Sequence, residues 1–251
     1  MNQGIAIITG GGRGLGRSMA LHLARTGTDI IITWQNDEAA AREVVARVEA
    51  LGRRAAALRL DVADSVVFPV FADRVRTLLG GWGRERFDIL VNNAGTSLHV
   101  PLMAVTGQQF DDIFAVHVKA VVFLTQALVP LLNEGGRILN ISSGLARVSL
   151  PGAAVYGAAK GAVEVLTRYQ ARELAARRIT VNVLAPGAIE TDFSGGQVRD
   201  NPELNRMVAG MTALGRAGLP DDIGGAAAAL LAEGCGWITG QRIEASGGMM
   251  L

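Results

Sequence analysis

The chain of 251 residues holds one cysteine, Cys235, two tyrosines, two lysines and three histidines. A single cysteine excludes an internal disulfide and a cysteine-built metal site. His22, His99 and His117 are too scattered for the spacing of zinc ligands, so no metal is expected. A net charge of +1, from 24 basic and 23 acidic residues, gives no electrostatic case for nucleic acid or an anionic membrane. No apolar run reaches the roughly 18 residues of a membrane span, and the stretch 120–132 is broken by Thr125, Gln126 and Pro130. The first residues read as a short strand rather than a signal peptide. These absences leave a soluble, cytoplasmic protein as the expectation. With 49% hydrophobic and 19% charged residues, the chain has material for a sizeable core.

Short β-type runs alternate with longer helical segments. Strands are expected near Ile5–Thr9, Asp29–Thr33, Ala55–Leu60, Ile89–Val91, Arg137–Ile141, Thr180–Leu184 and Arg242–Glu244. Their apolar residues are near-continuous rather than alternating, the pattern of strands buried on both faces of a parallel sheet. Segments such as 15–26, 38–51, 65–79, 108–132 and 155–177 carry helical periodicity. The alternation predicts an α/β fold, a Rossmann-type doubly wound parallel sheet of about seven strands. No linker or low-complexity segment divides the chain, so residues 1–251 read as a single domain.

Thr9 is followed by Gly10, Gly11, Gly12, Arg13, Gly14, Leu15 and Gly16, between the first strand and the first helix. Glycines there let the backbone turn sharply and a phosphate approach closely, and the helix N-terminus offers free N–H groups to a pyrophosphate. A purely structural turn is the alternative; the position after an N-terminal strand favours a dinucleotide. The second strand ends Thr33, Trp34, Gln35, Asn36, with no carboxylate until Asp37. An acid at that end would accept from a ribose 2′-hydroxyl and repel a 2′-phosphate. Its absence, together with Arg13 in the loop, favours NADP(H) over NAD(H). Arg13 as a plain solvent-exposed cation is the competing reading.

Tyr156 and Lys160 stand four residues apart in a predicted helix and so share one face. An ammonium beside a phenol favours the phenolate and lowers the tyrosine pKa, which would make Tyr156 a general acid or base. A lone helical lysine is usually a solvated one, but this chain uses arginine for nearly all its cations, and lysine at 160 stands out.

Over nearly its whole length the chain resembles the single-domain short-chain dehydrogenase/reductases, similar to the 3-oxoacyl-carrier-protein reductases and the sugar and polyol dehydrogenases. The resemblance rests on Thr9-Gly10-x-x-x-Gly14-x-Gly16, Asp61-Val62, Asn92-Asn93-Ala94-Gly95, Ser142-Ser143, Tyr156-x-x-x-Lys160 and Pro186-Gly187-x-x-x-Thr191, in that order. It implies reversible hydride transfer between a nicotinamide and a ketone or secondary alcohol. Ser143 would hold the substrate oxygen, Tyr156 would transfer the proton, and Lys160 would lower the Tyr156 pKa and hold the nicotinamide ribose. Asp61 and Val62 would meet the adenine. Asn93, Ala94 and Gly95 would line the ribose and nicotinamide path, and Pro186, Gly187, Ile189 and Thr191 the carboxamide end. The resemblance also implies a homo-oligomer, a tetramer or a dimer, built with the 155–177 helix and the tail 245–251.

One position departs from the family pattern. His117 stands where an asparagine that holds a relay water is usual. Histidine both donates and accepts, and would add a group titrating near neutrality. It leaves open a second function, an NADPH-binding sensor or structural protein with little turnover. The segment 191–219, with Phe193, Met207, Met211 and Leu214 among five glycines, reads as a substrate lid. Leu145, Val148, Leu150 and His99 are candidate walls. Their apolar character points to an acyl, cyclic or aromatic carbonyl rather than a sugar.

Overall fold

The computed structural model describes residues 4–251. Seven parallel strands form one sheet: β1 (Ile5–Ile8), β2 (Asp29–Trp34), β3 (Ala55–Arg59), β4 (Phe87–Asn92), β5 (Leu132–Ile141), β6 (Thr180–Pro186) and β7 (Arg242–Ala245), in the order β3-β2-β1-β4-β5-β6-β7. The runs of isoleucine in β1 and β2 are buried throughout because helices cover both faces. On one face α1 (Gly14–Arg25) and α2 (Glu38–Ala50) contribute Met19, Leu23, Val44 and Val48 to a core with Ile8, Ile30 and Ile32. On the other, α3 (Phe68–Gly81) brings Phe68, Phe71, Val75 and Leu79 against Ile5, Ile7 and Phe87.

The expected single helix over 108–132 is composite. It runs as α4 (Gly107–Phe114), a π-turn at Ala115–Lys119 and α5 (Ala120–Leu128), then a short 3₁₀ turn, and Leu132 already begins β5. The span Gly107–Leu131 is long and apolar enough by composition to cross a membrane, despite Thr125 and Gln126. Part of it belongs to the core: Ala120, Leu124, Leu128 and Leu131 lie against the sheet, while Phe110 and Phe123 are exposed. The long helix α6 (Ala154–Leu174) packs beside β5 and β6, and two short helices follow β6, α7 (Gln197–Asp200) and α8 (Pro202–Gly210). A further helix, α9 (Pro220–Leu230), packs Ile223 and Ala227 on the α1 side.

The order reverses between β1 and β4. In an open α/β sheet a crevice forms at such a switch point beyond the carboxyl ends of the strands. The loops after β1 and β4, carrying Gly10–Arg13 and Asn93–Gly95, meet there.

Candidate active site

Thr9 organises the crevice. Its hydroxyl accepts from the backbone N–H groups of Asn93 and Ala94, both at 2.9 Å, so the β1 end is fixed to the β4 end. The Asn93 amide donates back to the carbonyls of Thr9 (2.8 Å) and Gly10 (3.2 Å). Asn93 therefore buttresses the glycine loop with its side chain, a firmer attachment than the predicted role of lining a ribose. Gly10 and Gly14 have φ of +64° and +53°. A Cβ on Gly16 would lie 2.3 Å from the Gly10 carbonyl oxygen, so only glycine fits where helix α1 crosses the loop. Leu15 packs on the core beneath.

The start of α1 suits a diphosphate. Arg13 at its N-cap is extended and gives no side-chain cap, and the first turn holds no acid. The first N–H groups thus point outward with the helix dipole behind them. The loop presses on β2, with Gly11 N–H bonded to the Thr33 carbonyl at 2.9 Å and Gly10 N–H to the Thr33 hydroxyl at 3.1 Å. Arg13 and Gln35 are exposed at this end. Asp37 turns away to cap α2 through the Ala40 N–H at 2.9 Å. Asp61 accepts from Ala63 N–H at 2.9 Å, and Val62 packs at the core edge. On the far side Pro186 pairs in register with Ala245, Gly187 N–H bonds the Ala245 carbonyl at 3.1 Å, and Ile189 bridges to Gly218. Thr191 is buried, and a Cβ on Gly14 would meet it at 3.6 Å. The predicted cofactor residues other than Tyr156 and Lys160 thus lie at the carboxyl ends of five strands, β1, β2, β3, β4 and β6.

Three consecutive residues of β5 and its end grip α6. Asn140, fully buried, donates to Thr167 and Gln170, both at 2.9 Å. The Ile141 carbonyl accepts from Lys160 Nζ at 2.8 Å. Ser142 Oγ donates to Glu164 at 2.8 Å and lies 3.3 Å from the Lys160 carbonyl. This grip places Ser143, at the strand's end, beside Tyr156, where its hydroxyl favours the phenolate; Ser143 Oγ also accepts from Leu145 N–H at 3.2 Å. Lys160 Nζ lies 5.7 Å from the Tyr156 ring centre. His117 meets that ring edge-on at 5.3 Å, and Phe193 stands 6.1 Å from it. Ser143, Tyr156, Lys160 and His117 therefore share one site.

Burial governs the charge states. It pushes the Tyr156 phenol up to about 12, against the pull of the Ser143 hydrogen bond, and the Lys160 ammonium down to about 7. The expected lowering of the phenol by the lysine is overridden: the ammonium is 5.7 Å from the ring centre and spends a hydrogen bond on the Ile141 carbonyl. A second expectation is corrected as well. His117 does not titrate near neutrality, because burial and then the Lys160 charge push it down to about 3. Its Nε2 is 2.7 Å from the Thr96 carbonyl and 3.3 Å from the Thr96 N–H; the shorter contact favours the proton on Nε2, and Nδ1 is buried with no hydrogen-bond partner among the described residues. The ring occupies the space over Gly95, where a Cβ would come within 2.7 Å of it.

Two features were not read from the sequence. The first is a polar ladder in the core: Asn92 donates to Asn140 (2.8 Å) and Thr125 (3.2 Å). An asparagine inside the apolar run Ile138-Leu139-Asn140-Ile141 is the signal that could have found it. The second is a tail strap. Arg147, in the turn after Ser143, forks onto Glu244 (2.7 and 2.9 Å) and reaches the Met249 carbonyl at 2.8 Å. The tail in turn pairs with the segment after α8 through Leu214 N–H to the Gly247 carbonyl (3.0 Å) and Met250 N–H to the Met211 carbonyl (2.9 Å). The expected lid segment is thus tied to the Ser143 turn, with Phe193, Met207 and Leu214 exposed along it. His99 lies over Gly152, beside the Val148–Leu150 wall. A cavity of about 520 Å³ is lined by Leu102, Val105, Phe110, Ala154, Val155 and Ala158, and its lining includes none of the candidate residues.

Comparison with known proteins agrees with this geometry. A family profile described as enoyl-(acyl carrier protein) reductase matches residues 10–250. A 3-oxoacyl-[acyl-carrier-protein] reductase of Staphylococcus aureus is 36% identical over 248 residues, covering 98% of each chain. Among solved structures, LugOII, a promiscuous reductase that catalyses keto-reduction at C1 in lugdunomycin biosynthesis, is 37% identical with a TM-score of 0.94, covering 100% of this chain and 99% of its own. The angucycline C-6 ketoreductase LanV, solved with bound NADP, is 35% identical with a TM-score of 0.92, covering 98% and 95%. A seven-stranded parallel sheet with this glycine loop and this serine, tyrosine and lysine, in a chain so closely matched, belongs to the short-chain dehydrogenase/reductase family of oxidoreductases.

Proposed function

We propose that the protein is an NADP(H)-dependent ketoreductase that acts reversibly on a ketone or secondary alcohol. The observation that carries this reading is the meeting of Ser143, buried Tyr156 and buried Lys160 at the end of β5, with Lys160 Nζ 5.7 Å from the Tyr156 ring centre. The bound nicotinamide supplies the hydride that goes to the carbonyl carbon. The Ser143 hydroxyl donates to the carbonyl oxygen and orients it. The Tyr156 phenol, held up at about 12, stays protonated at neutral pH and delivers its proton to that oxygen. Lys160, with Nζ 5.7 Å from the Tyr156 ring centre, would stabilise the phenolate left behind when it carries its proton. Phe193, 6.1 Å from the Tyr156 ring, would cover one side of the reacting carbonyl.

The apolar surround supports a cyclic or aromatic ketone, and the chemistry named for LanV and LugOII supports it too. A 3-oxoacyl thioester is the runner-up, supported by the Staphylococcus aureus relative. The test is NADPH consumption by the purified protein against fused-ring ketones, quinones, 3-oxoacyl thioesters and sugars. Turnover confined to sugars would overturn the substrate class. Exposed Phe123, Val165 and Tyr169 on α5 and α6 support association with a second copy.

A second reading, cofactor binding without turnover, is favoured by the unpartnered His117 Nδ1 beside Lys160. Replacing His117 with asparagine separates the two. His117→Asn is expected to retain or raise kcat and to leave the pH profile between about pH 5 and 8 unmoved, because His117 is already neutral there. A collapse of kcat with NADPH binding intact would give the histidine a dedicated role. Turnover that appears only in the variant would establish the binding protein.

A further inference from the structure

The adenosine end of the crevice carries a second guanidinium that the glycine-loop motif does not contain. Trp34 and Arg59 are register partners at the ends of β2 and β3. The Arg59 guanidinium carbon lies 5.9 Å from the Trp34 ring centre, and its Nε donates to the Gln35 carbonyl at 3.3 Å. Arg74 donates to the Arg59 carbonyl at 3.0 Å, which fixes the backbone beneath. Both Nη groups of Arg59 remain without a hydrogen bond among the described residues, and neither Arg59 nor Arg13 has a carboxylate ion pair there. The nearby acids are engaged elsewhere: Asp37 caps α2, Glu38 holds Arg42, and Asp61 closes its own turn. An arginine over an indole, with its fork free and the nearby acids engaged elsewhere, is prepared for a bidentate anion.

We propose that Arg59, oriented by Trp34, works with Arg13 to recognise a phosphate on the adenosine ribose 2′-oxygen. Strand β2 ends without a cation of its own, and Arg59 provides one from the neighbouring strand. The assignment rests on the NADP(H) reading above and is independent of which ketone is reduced.

The test is equilibrium binding, followed by cofactor fluorescence or calorimetry, of NADPH, NADH, 2′,5′-ADP and 5′-AMP to wild type, Arg59→Ala, Arg59→Lys and Arg13→Ala. Arg59→Ala is expected to weaken NADPH and 2′,5′-ADP by about 10- to 100-fold while NADH and 5′-AMP change by less than about twofold. Arg59→Lys should recover part of the loss, since charge returns without the fork. Arg13→Ala should likewise weaken NADPH more than NADH. A wild type that prefers NADPH, with an Arg59→Ala variant that loses both cofactors equally or neither, overturns the assignment and leaves the cofactor reading standing. A wild type with no preference for NADPH overturns both.

Discussion

Tyr156→Phe is expected to lower kcat for ketone reduction by about a thousandfold, with the Kd for NADPH within about threefold of wild type. The substitution removes one hydroxyl. The ring stays, and with it the edge-on contact to His117 and the packing against Phe193, so the fold and crevice persist. What disappears is the only phenol within reach of Ser143: Tyr169, the other tyrosine, is largely exposed on α6. The loss is therefore predicted to sit in the chemical step. Retention of more than about a tenth of wild-type kcat would place the proton donor elsewhere and remove the basis of the proposed chemistry.

Gly16→Ala is expected to abolish measurable NADPH binding, a loss of about a hundredfold or more, and to destabilise the fold by about 2 kcal/mol. The added Cβ would fall 2.3 Å from the Gly10 carbonyl oxygen and 2.9 Å from Gly11 Cα, both backbone atoms that cannot swing aside. Relief requires α1 to move away from the loop, which misaligns the N–H groups that would receive the diphosphate. The Asn93 amide, 2.7 Å from the same point, is displaced too, and with it the clasp on Thr9. Affinity is read by titration and stability by the thermal midpoint, which should fall by roughly 4–8 °C. A variant that binds NADPH normally would mean that this close approach does not shape the cofactor site.

Much of this was legible in the chain. The central strands were readable because apolar runs buried on both faces mark a parallel sheet, whereas β3 (Ala55–Arg59) and β7 (Arg242–Ala245) at the edges are only half-buried. Tyr156 and Lys160 were readable because a helix fixes what four residues of separation means. The interrupted helix over 107–131 was not, since a π-turn adds one residue per turn without a compositional mark. Charge states were not legible either. The sequence places an ammonium near a phenol, but burial on the folded sheet decides that both are pushed toward their neutral forms. The same burial silences His117, which by composition alone looks like a titrating group. Arg59 was hidden for a topological reason: residues 34 and 59 become neighbours only when β2 and β3 pair. The Arg147–Glu244 fork needs the whole sheet to close before its partners, 97 residues apart, can meet.

The central claim is that the site delivers a hydride and the Tyr156 proton to the two ends of one carbonyl. The most direct measurement uses NADPH carrying deuterium at nicotinamide C4, with the most active ketone of the panel, and reads the product by mass spectrometry and NMR. One deuterium on the new carbinol carbon in the wild-type product, and no labelled alcohol from Tyr156→Phe, is the predicted result. Tight NADPH binding with no deuterium transferred to any ketone, or equal labelling by wild type and variant, would contradict it.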